Sequence, residues 1–252
     1  MKGIIIAAGK GVRLKGLTND QPKCLLTIGG KSILQHQLDV YRNNGIKNIS
    51  IIKGYCAEKI DLEGITYFFN DDYSNNNILL SLMYAESQMD GEFIATYSDI
   101  VYESSVLSAI LESDADISII TDVNWQKSYE GRTEHPLDEA EKVIFNENHI
   151  VKKIGKDLGG DSETPSEFIG MIKCTEKGAQ IFKEYFYRAK TEFDGRPFGK
   201  AKEFKKAYLT DLLQYITDQS IPVKCVPIEG CWTEIDTPQD IERANALFQK
   251  RT

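Results

Sequence analysis

The sequence predicts an α/β fold: a Rossmann-like, mixed but mostly parallel sheet flanked by helices, with a substrate-binding insertion in its second half. Three observations carry this expectation. Residues 3–8 (GIIIAA) form an apolar run without polar alternation, which marks a strand buried on both faces in a parallel sheet. Strand-like and helix-like patterns then alternate through about the first 120 residues. A polar, glycine-containing loop follows the first strand directly, at the carboxyl end where open α/β sheets bind ligands.

The other elements follow in order. Residues 33–44 carry apolar side chains at helical spacing and end at Gly45, which suits a left-handed C-terminal cap. Strands are expected at 49–52 and 65–69, a helix at 78–86, and a strand at 93–97 that runs into Ser98-Asp99-Ile100. A helix at 106–111 and a buried strand at 117–120 complete the first half. After Thr121 the chain is polar and irregular to about Gly160, with a hairpin built from 142–144 and 150–154. A strand at 168–174, helices at 177–189 and 207–217, and a strand at 223–228 come next. Thr237 can cap a final helix, with Pro238 at its first position. No linker or low-complexity segment intervenes, so residues 1–252 are read as one domain in two halves, about 1–121 and about 122–252.

Composition narrows the function classes. Apolar residues make up 41% and charged residues 27%, as in ordinary globular chains. The net charge of −8 argues against non-specific nucleic-acid binding, which needs a basic footprint to displace counterions. An acidic chain can still bind a polyanionic small molecule through a few local donors and a metal ion. The five cysteines, Cys24, Cys56, Cys174, Cys225 and Cys231, show no CxxC spacing and read as reduced thiols rather than a disulfide framework or zinc site. No basic segment precedes an apolar stretch, and no apolar run approaches 18 residues. The expectation is a cytoplasmic protein without a membrane span.

The loop after the first strand reads Ala7-Ala8-Gly9-Lys10-Gly11-Val12-Arg13-Leu14, then Gln21-Pro22-Lys23-Cys24-Leu25. Gly9 and Gly11 let the backbone approach a phosphate and offer N–H donors unobstructed by a Cβ. Arg13 can fork two phosphate oxygens, and Lys23 can place a point charge where negative charge builds up at a transferring phosphorus. The loop is not GxGxxG, because Leu14 replaces the third glycine, and no Gly-Lys-Ser/Thr follows to make a Walker loop. The whole string AAGKGVRLKGLTNDQPKCL resembles the signature of the sugar-phosphate nucleotidyltransferases, roughly AAGxGxRLxPLTxxxPKxL, with Gly16 where the family usually has Pro. That resemblance implies a nucleotidyltransferase fold, with residues 1–121 as the nucleotide-binding half and residues 122–252 as the acceptor-binding half with a C-terminal helix. It makes Lys23 and Arg13 the candidate catalytic residues, with Ala7, Ala8, Gly9, Lys10 and Gly11 against the nucleotide.

Nucleotidyl transfer calls for a divalent cation, and magnesium takes oxygen ligands. Asp99, at the end of a buried strand, and Asp236, just before the last helix, match the positions from which the family binds its metal; Glu234 and Asp240 rank behind Asp236. The expected cofactor is Mg2+.

Two further resemblances bear on the nucleotide and the acceptor. Phe69-Asn70-Asp71-Asp72-Tyr73, Asn75-Asn76-Asn77 and Ser81-Leu82 are similar to the cytidylyltransferases that activate phosphocholine. They imply CTP, with Asn77, Ser81 and Ser98 near it and Asn70 behind them. An asparagine run also suits a turn and a helix cap. Asp122-Val-Asn-Trp125, Tyr129-Glu-Gly-Arg132, His135-Pro136, Glu139-Ala-Glu141, Ile154-Gly-Lys156 and Glu167-Phe-Ile-Gly170 together resemble the phosphonate cytidylyltransferases. They imply a small phosphonate acceptor, 2-aminoethylphosphonate first. Arg132, Lys156 and Lys53 are then candidates for the acceptor anion. Glu167, with Asp122, Trp125, Tyr129 or Tyr102 near it, would meet the ammonium group. Phosphocholine, a sugar 1-phosphate, and a non-catalytic nucleotide-binding regulatory subunit remain as alternatives, and the sequence leaves homodimer formation open.

Overall fold

The computed structural model describes residues 1–156, 158 and 165–249. Its first strand, β1 (Lys2–Ala7), sends alternate side chains into opposite layers: Ile4 and Ile6 into one hydrophobic core, Ile5 and Ala7 into another. A strand with two apolar faces needs cover on both, which sets a three-layer arrangement of helices, sheet and helices.

The loop after β1 forms two short 3-10 turns and a small ribbon, β2 (Thr27–Ile28) with β3 (Lys31–Ser32). Helix α1 (Ile33–Asn43) starts where the Ser32 hydroxyl accepts from the Gln35 N–H at 3.0 Å. It ends at Gly45, whose φ of +81° lets the N–H groups of Gly45 and Ile46 reach back to the carbonyls of Arg42 and Tyr41. The chain continues through β4 (Asn48–Lys53), β5 (Thr66–Phe69), α2 (Ile78–Met83), β6 (Phe93–Tyr97), β7 (Ile100–Tyr102), α3 (Ser104–Leu111) and β8 (Ile117–Asp122). The second half holds α4 (Gln126–Tyr129), β9 (Lys142–Phe145), β10 (Val151–Gly155), β11 (Ser166–Cys174), α5 (Glu176–Glu192), α6 (Leu209–Asp218), β12 (Lys224–Ile228), β13 (Trp232–Glu234) and α7 (Pro238–Gln249). The hairpin expected from the sequence is β9 with β10. The end of the stretch expected to be irregular, Asp157 and residues 159–160, lies outside the described residues.

The main sheet runs β10-β9-β11-β6-β1-β4-β5, with β8 paired to both β11 and β12. Strands β6, β1, β4 and β5 are mutually parallel, and β12 is parallel to β8. The strand expected at 117–120 is β8, and it does not lie beside β6 in the sheet. Strand β11, from the second half, lies between them and runs antiparallel to both. All nine residues of β11 are buried, so it needs a neighbour on each edge and a layer on each face, and only a central position supplies these. Helices α1 and α3 cover one face of the sheet; α2, α5 and α6 cover the other. Helix α7 packs Ala244 into a smaller cluster with Leu14, Ile28 and Ile235.

This topology gathers one edge of the sheet. The carboxyl ends of β1, β6 and β8 and the amino end of the antiparallel β11 lie side by side, with Asp122 paired to Glu167 in register. The ribbon of β7 with β13 joins the end of β6 to the start of α7 at that same edge.

Gly178 offers a test of the packing. It lies in the first turn of α5, and a Cβ there would fall on the carbonyl oxygen of Asp116. Glycine to alanine in an exposed helix gains about 1 kcal/mol. Here Gly178→Ala should instead cost about 1–3 kcal/mol, the range for overpacking, measured by urea unfolding.

Candidate active site

Lys23 opens a short 3-10 turn behind Pro22, and its ammonium reaches two carboxylates: Asp99 Oδ2 at 3.0 Å and Asp236 Oδ1. Arg13 Nη2 donates to the other oxygen of Asp236. Burial disfavours the charged form of Lys23, but Asp99, Asp236 and Glu234 outweigh it and hold its pKa above the ordinary lysine value. Burial would likewise raise Asp236, yet Lys23 and Arg13 hold its carboxyl down at about 2. Lys23 and Asp236 are therefore both charged at neutral pH. Gly11 makes the close approach feasible: its φ is +65°, and a Cβ there would sit 3.1 Å from the Lys23 side chain. At the other end of the loop, Ala7 and Ala8 are buried while Gly9 and Lys10 are exposed, and nothing within 4 Å faces the Cβ position of Gly9.

The two aspartates come from distant segments. Asp99 and Ser98 form the turn between β6 and β7. Asp236 follows β13, whose antiparallel ladder with β7 pairs Glu234 with Ile100, and the Ile235 N–H donates to the Asp99 carbonyl at 2.9 Å. Thr237 and Asp240 then cap α7: Asp240 Oδ2 accepts from the N–H groups of Asp236 (3.0 Å) and Thr237 (2.8 Å) and from the Thr237 hydroxyl (2.9 Å). Arg132 clamps the same carboxylate in bidentate fashion, at 2.8 and 3.0 Å, and stacks over the Tyr129 ring.

Beside Asp236 stand Glu234, which the sequence analysis ranked behind it, and His135, to which it gave no role. Ligand-capable atoms of His135, Glu234 and Asp236 lie within 4.8 Å of one another. Burial, reinforced by Asp236 and Asp99, pushes the Glu234 carboxyl well above its usual range. Burial and Arg132 hold His135 down at about 4, so it is neutral at physiological pH. A period-two reading of Trp232, Glu234 and Asp236 as one face of a strand was the available signal for Glu234. His135 enters the sequence reading only within the His135-Pro136 part of the phosphonate-cytidylyltransferase resemblance, with no role assigned to it.

A cleft of about 200 Å³ opens beside these carboxylates, and Arg13, Asn77, Asp99, Lys156, Glu167 and Asp236 all line it. Tyr129 lines it too, and its hydroxyl donates to Glu167 Oε1 at 2.7 Å. Glu167 Oε2 is buried without a hydrogen-bond partner. Burial pushes the Glu167 carboxyl up to about 7, with Asp122 and Glu141 adding to this and Tyr129 and Arg132 opposing it. Lys156 pairs with Glu139 at 2.7 Å and lies over the Tyr208 ring. Among lining residues not singled out from sequence, Tyr97, Tyr208 and Trp232 add aromatic surface; Glu141, from the quoted Glu139-Ala-Glu141, also lines the cleft and accepts from Thr210 at 2.7 Å.

Other candidates are placed elsewhere. Ser81 is buried in a closed network: Asn70 Nδ2 donates to Ser81 Oγ at 2.8 Å and to Asn76 Oδ1 at 3.0 Å, and Asn76 Nδ2 returns a bond to Asn70 Oδ1 at 2.9 Å. These side chains pin the loop that carries Asn77. Trp125 is buried against Tyr129, 5.4 Å between ring centroids, and donates to the Pro165 carbonyl, so it backs the cleft without lining it. Asp122 accepts from Trp232 Nε1 at 2.7 Å; with Arg132 it lines a second cavity of about 580 Å³ that shares Trp232 and Glu234 with the first. Lys53 donates to the Ile60 carbonyl, and Tyr102 is buried beneath α1 and α3. Arg132 is thus a brace for Asp236. Removing one partner of a buried ion pair strands the other charge, so Arg132→Met should cost about 3–5 kcal/mol in denaturant unfolding; a surface anion contact would cost close to nothing.

The profile of the family described as Nucleotidyl transferase matches residues 2–115, the part that carries Lys23 and Asp99. The chain is 29% identical over 257 residues to the CTP:phosphoglutamine cytidylyltransferase of Campylobacter jejuni, covering 96% of this chain and 98% of that one. It is 31% identical over 108 residues to the choline-phosphate cytidylyltransferase of Streptococcus pneumoniae, 41% of this chain and 47% of that one. Among solved structures, the CTP:phosphocholine cytidylyltransferase of Streptococcus pneumoniae superposes with a TM-score of 0.74 at 20% identity, covering 98% of each chain. The inositol-1-phosphate CTP transferase of T. maritima also gives 0.74, at 22% identity, over 99% of this chain and 95% of that one. No helix among the described residues is long and apolar enough to cross a membrane. These matches support placing the chain among the sugar-phosphate nucleotidyltransferases, with residues 2–115 carrying the Nucleotidyl transferase match.

Proposed function

We propose that this protein is a cytidylyltransferase that moves CMP from CTP to a small acceptor carrying both an anionic phosphorus group and an ammonium group, with 2-aminoethylphosphonate as the first candidate. The observation that carries the proposal is the polarity of the cleft. Arg13 and Lys156 bring positive charge to its lining, with Lys23 behind them between Asp99 and Asp236, and the buried Glu167 with Tyr129 brings a carboxylate and an aromatic face. A zwitterion matches both kinds of charge. Three of the curated relatives are named as cytidylyltransferases, which supports CTP as the donor.

In this mechanism an acceptor oxygen attacks the α-phosphorus of CTP; a P–O bond forms as the bond to the bridging oxygen of the β-phosphate breaks, and pyrophosphate leaves. The acceptor is already an anion, so the chain need not supply a general base. Arg13 and Lys23 steady the charge that builds on the phosphate oxygens. The site fits a magnesium ion: its donors are mainly carboxylate oxygens, and Asp99 Oδ1 is buried without a partner. Asp99 and Asp236 would hold the ion, which when bound neutralises the triphosphate as a Lewis acid. Asn77, at the cleft wall, stands where it can meet the nucleotide or the acceptor.

Pyrophosphate release with each nucleoside triphosphate against a panel of 2-aminoethylphosphonate, phosphocholine, phosphoglutamine and a hexose 1-phosphate tests the proposal. CTP with a zwitterionic acceptor should turn over fastest, and a preference for UTP or dTTP with the hexose phosphate would reject it. On the preferred pair, Lys23→Ala should lower turnover at least ~10²-fold, the scale of one lost preorganised charge.

The carboxyl of Glu167 makes the acceptor step pH-sensitive. As pH falls from 8 to 6 it passes through about 7, gains a proton and loses its attraction for an ammonium. The KM for the acceptor should therefore rise up to about tenfold more in the wild type than in Glu167→Gln, where only the acceptor's own ionisation remains. The KM for CTP should not follow this trend.

A further inference from the structure

Helix α1 buries Ile33, Leu34, Gln37, Leu38 and Tyr41 as one stripe against the sheet. Four of these are hydrophobic or aromatic, and the fifth is an amide that is 1% exposed. A buried amide in an apolar stripe costs free energy unless its donors are used. Gln37 uses both N–H groups on one short segment: Nε2 donates to the Tyr97 carbonyl at 2.8 Å and to the Ile100 carbonyl at 2.7 Å. Its Oε1 is left buried without a partner. A leucine would serve the packing better, so the side chain is explained by the two carbonyls it holds. Those carbonyls flank Ser98-Asp99, the turn that presents one carboxylate to Lys23.

We infer that Gln37 is a positioning residue for Asp99: its amide pins the β6–β7 turn from beneath and fixes the direction of the carboxylate toward the metal and the triphosphate. This rests on the metal-dependent cytidylyl transfer proposed above. It also completes a symmetry of support. Asp236 is held from behind by the Asp240–Arg132 pair, and Asp99 by Gln37. Gln37 touches neither substrate nor metal and acts through the backbone on either side of Asp99. Partners of this kind around metal ligands typically set affinity by a factor of roughly 10–100.

The test uses Gln37→Met, which keeps the length and volume of the side chain without its donors. Tyr41→Phe is the control: it removes a buried bond from the same helix to the same strand, Tyr41 hydroxyl to Thr96 Oγ1 at 3.2 Å, without touching the turn. Gln37→Met should raise the Mg2+ concentration for half-maximal pyrophosphate release about tenfold and lower kcat, with the KM for the acceptor unchanged. Mn2+ titrated by electron paramagnetic resonance into protein with CTP and no acceptor should bind about tenfold more weakly. Tyr41→Phe should titrate like the wild type on both readouts. Should Gln37→Met fail to fold, Gln37→Glu, equal in shape but short of donors, should give the same shift. Wild-type metal titration in the Gln37 variants, or an equal shift in Tyr41→Phe, overturns the role of Gln37 while leaving the transferase proposal standing. A wild-type protein that adds nothing to the binding of Mn2+ by CTP alone overturns both.

Discussion

The ammonium of Lys23, buried between Asp99 and Asp236, ties together three segments that are far apart in the chain: the loop after the first strand, the turn after β6, and the approach to the last helix. A buried cation with two carboxylates is weak as a source of net stability, because desolvation consumes most of the attraction. Its strength lies in its intolerance of loss, since any one of the three left alone is a stranded charge. The sheet edge, the β7–β13 ribbon and the α7 cap all have to be in place for the cluster to form. In this sense the site and the fold share one constraint.

The supports of that cluster are polar groups spent on backbone. Asp240 gathers two N–H groups and a hydroxyl at the start of α7, Arg132 neutralises it, and Gln37 gathers two carbonyls beneath Asp99. Asn70, Asn76 and Ser81 instead bond side chain to side chain under the Asn77 loop. Each places hydrogen-bonding groups where an apolar side chain would pack more cheaply, and each stands directly behind a residue that faces the cleft. Loops alone would leave these carboxylates free to turn. The buried bonds convert loop positions into rigid ones.

Much of the fold was legible because hydrophobic periodicity is local. Residues 93–97 were bounded correctly from a run of apolar side chains, and Gly45 marked the end of α1 through its own backbone freedom. The position of β11 was not legible. Its pattern says that it is buried on both faces but not which strands flank it, and pairing is decided by contacts between residues tens of positions apart. The β7–β13 ribbon was missed for a related reason: strands of three residues carry too little pattern to read. Among the candidate site residues, Lys23, Arg13, Asp99 and Asp236 were singled out from a loop string and two strand ends, and the fold brings them into contact. Arg132, Ser81 and Trp125 were assigned to ligands from the cytidylyltransferase resemblances. The structure gives their polar groups to Asp240, to two asparagines and to a backbone carbonyl.

The sequence by itself determined the parts whose physics lies within a few residues: the buried first strand, the glycine loop that follows it, the helix ends at Gly45 and Thr237, and the supply of charged groups suited to a triphosphate. Tertiary structure alone decided which of those charges meet. Whether an arginine faces a ligand or braces an aspartate depends on which carboxylate lies within 3 Å of it, and that partner, 108 positions away in the chain, is chosen by the packing of α7 against the ribbon. The same holds for Gln37, whose residue type suggests a surface amide and whose two hydrogen bonds exist only because α1 lies beneath the turn that carries Asp99.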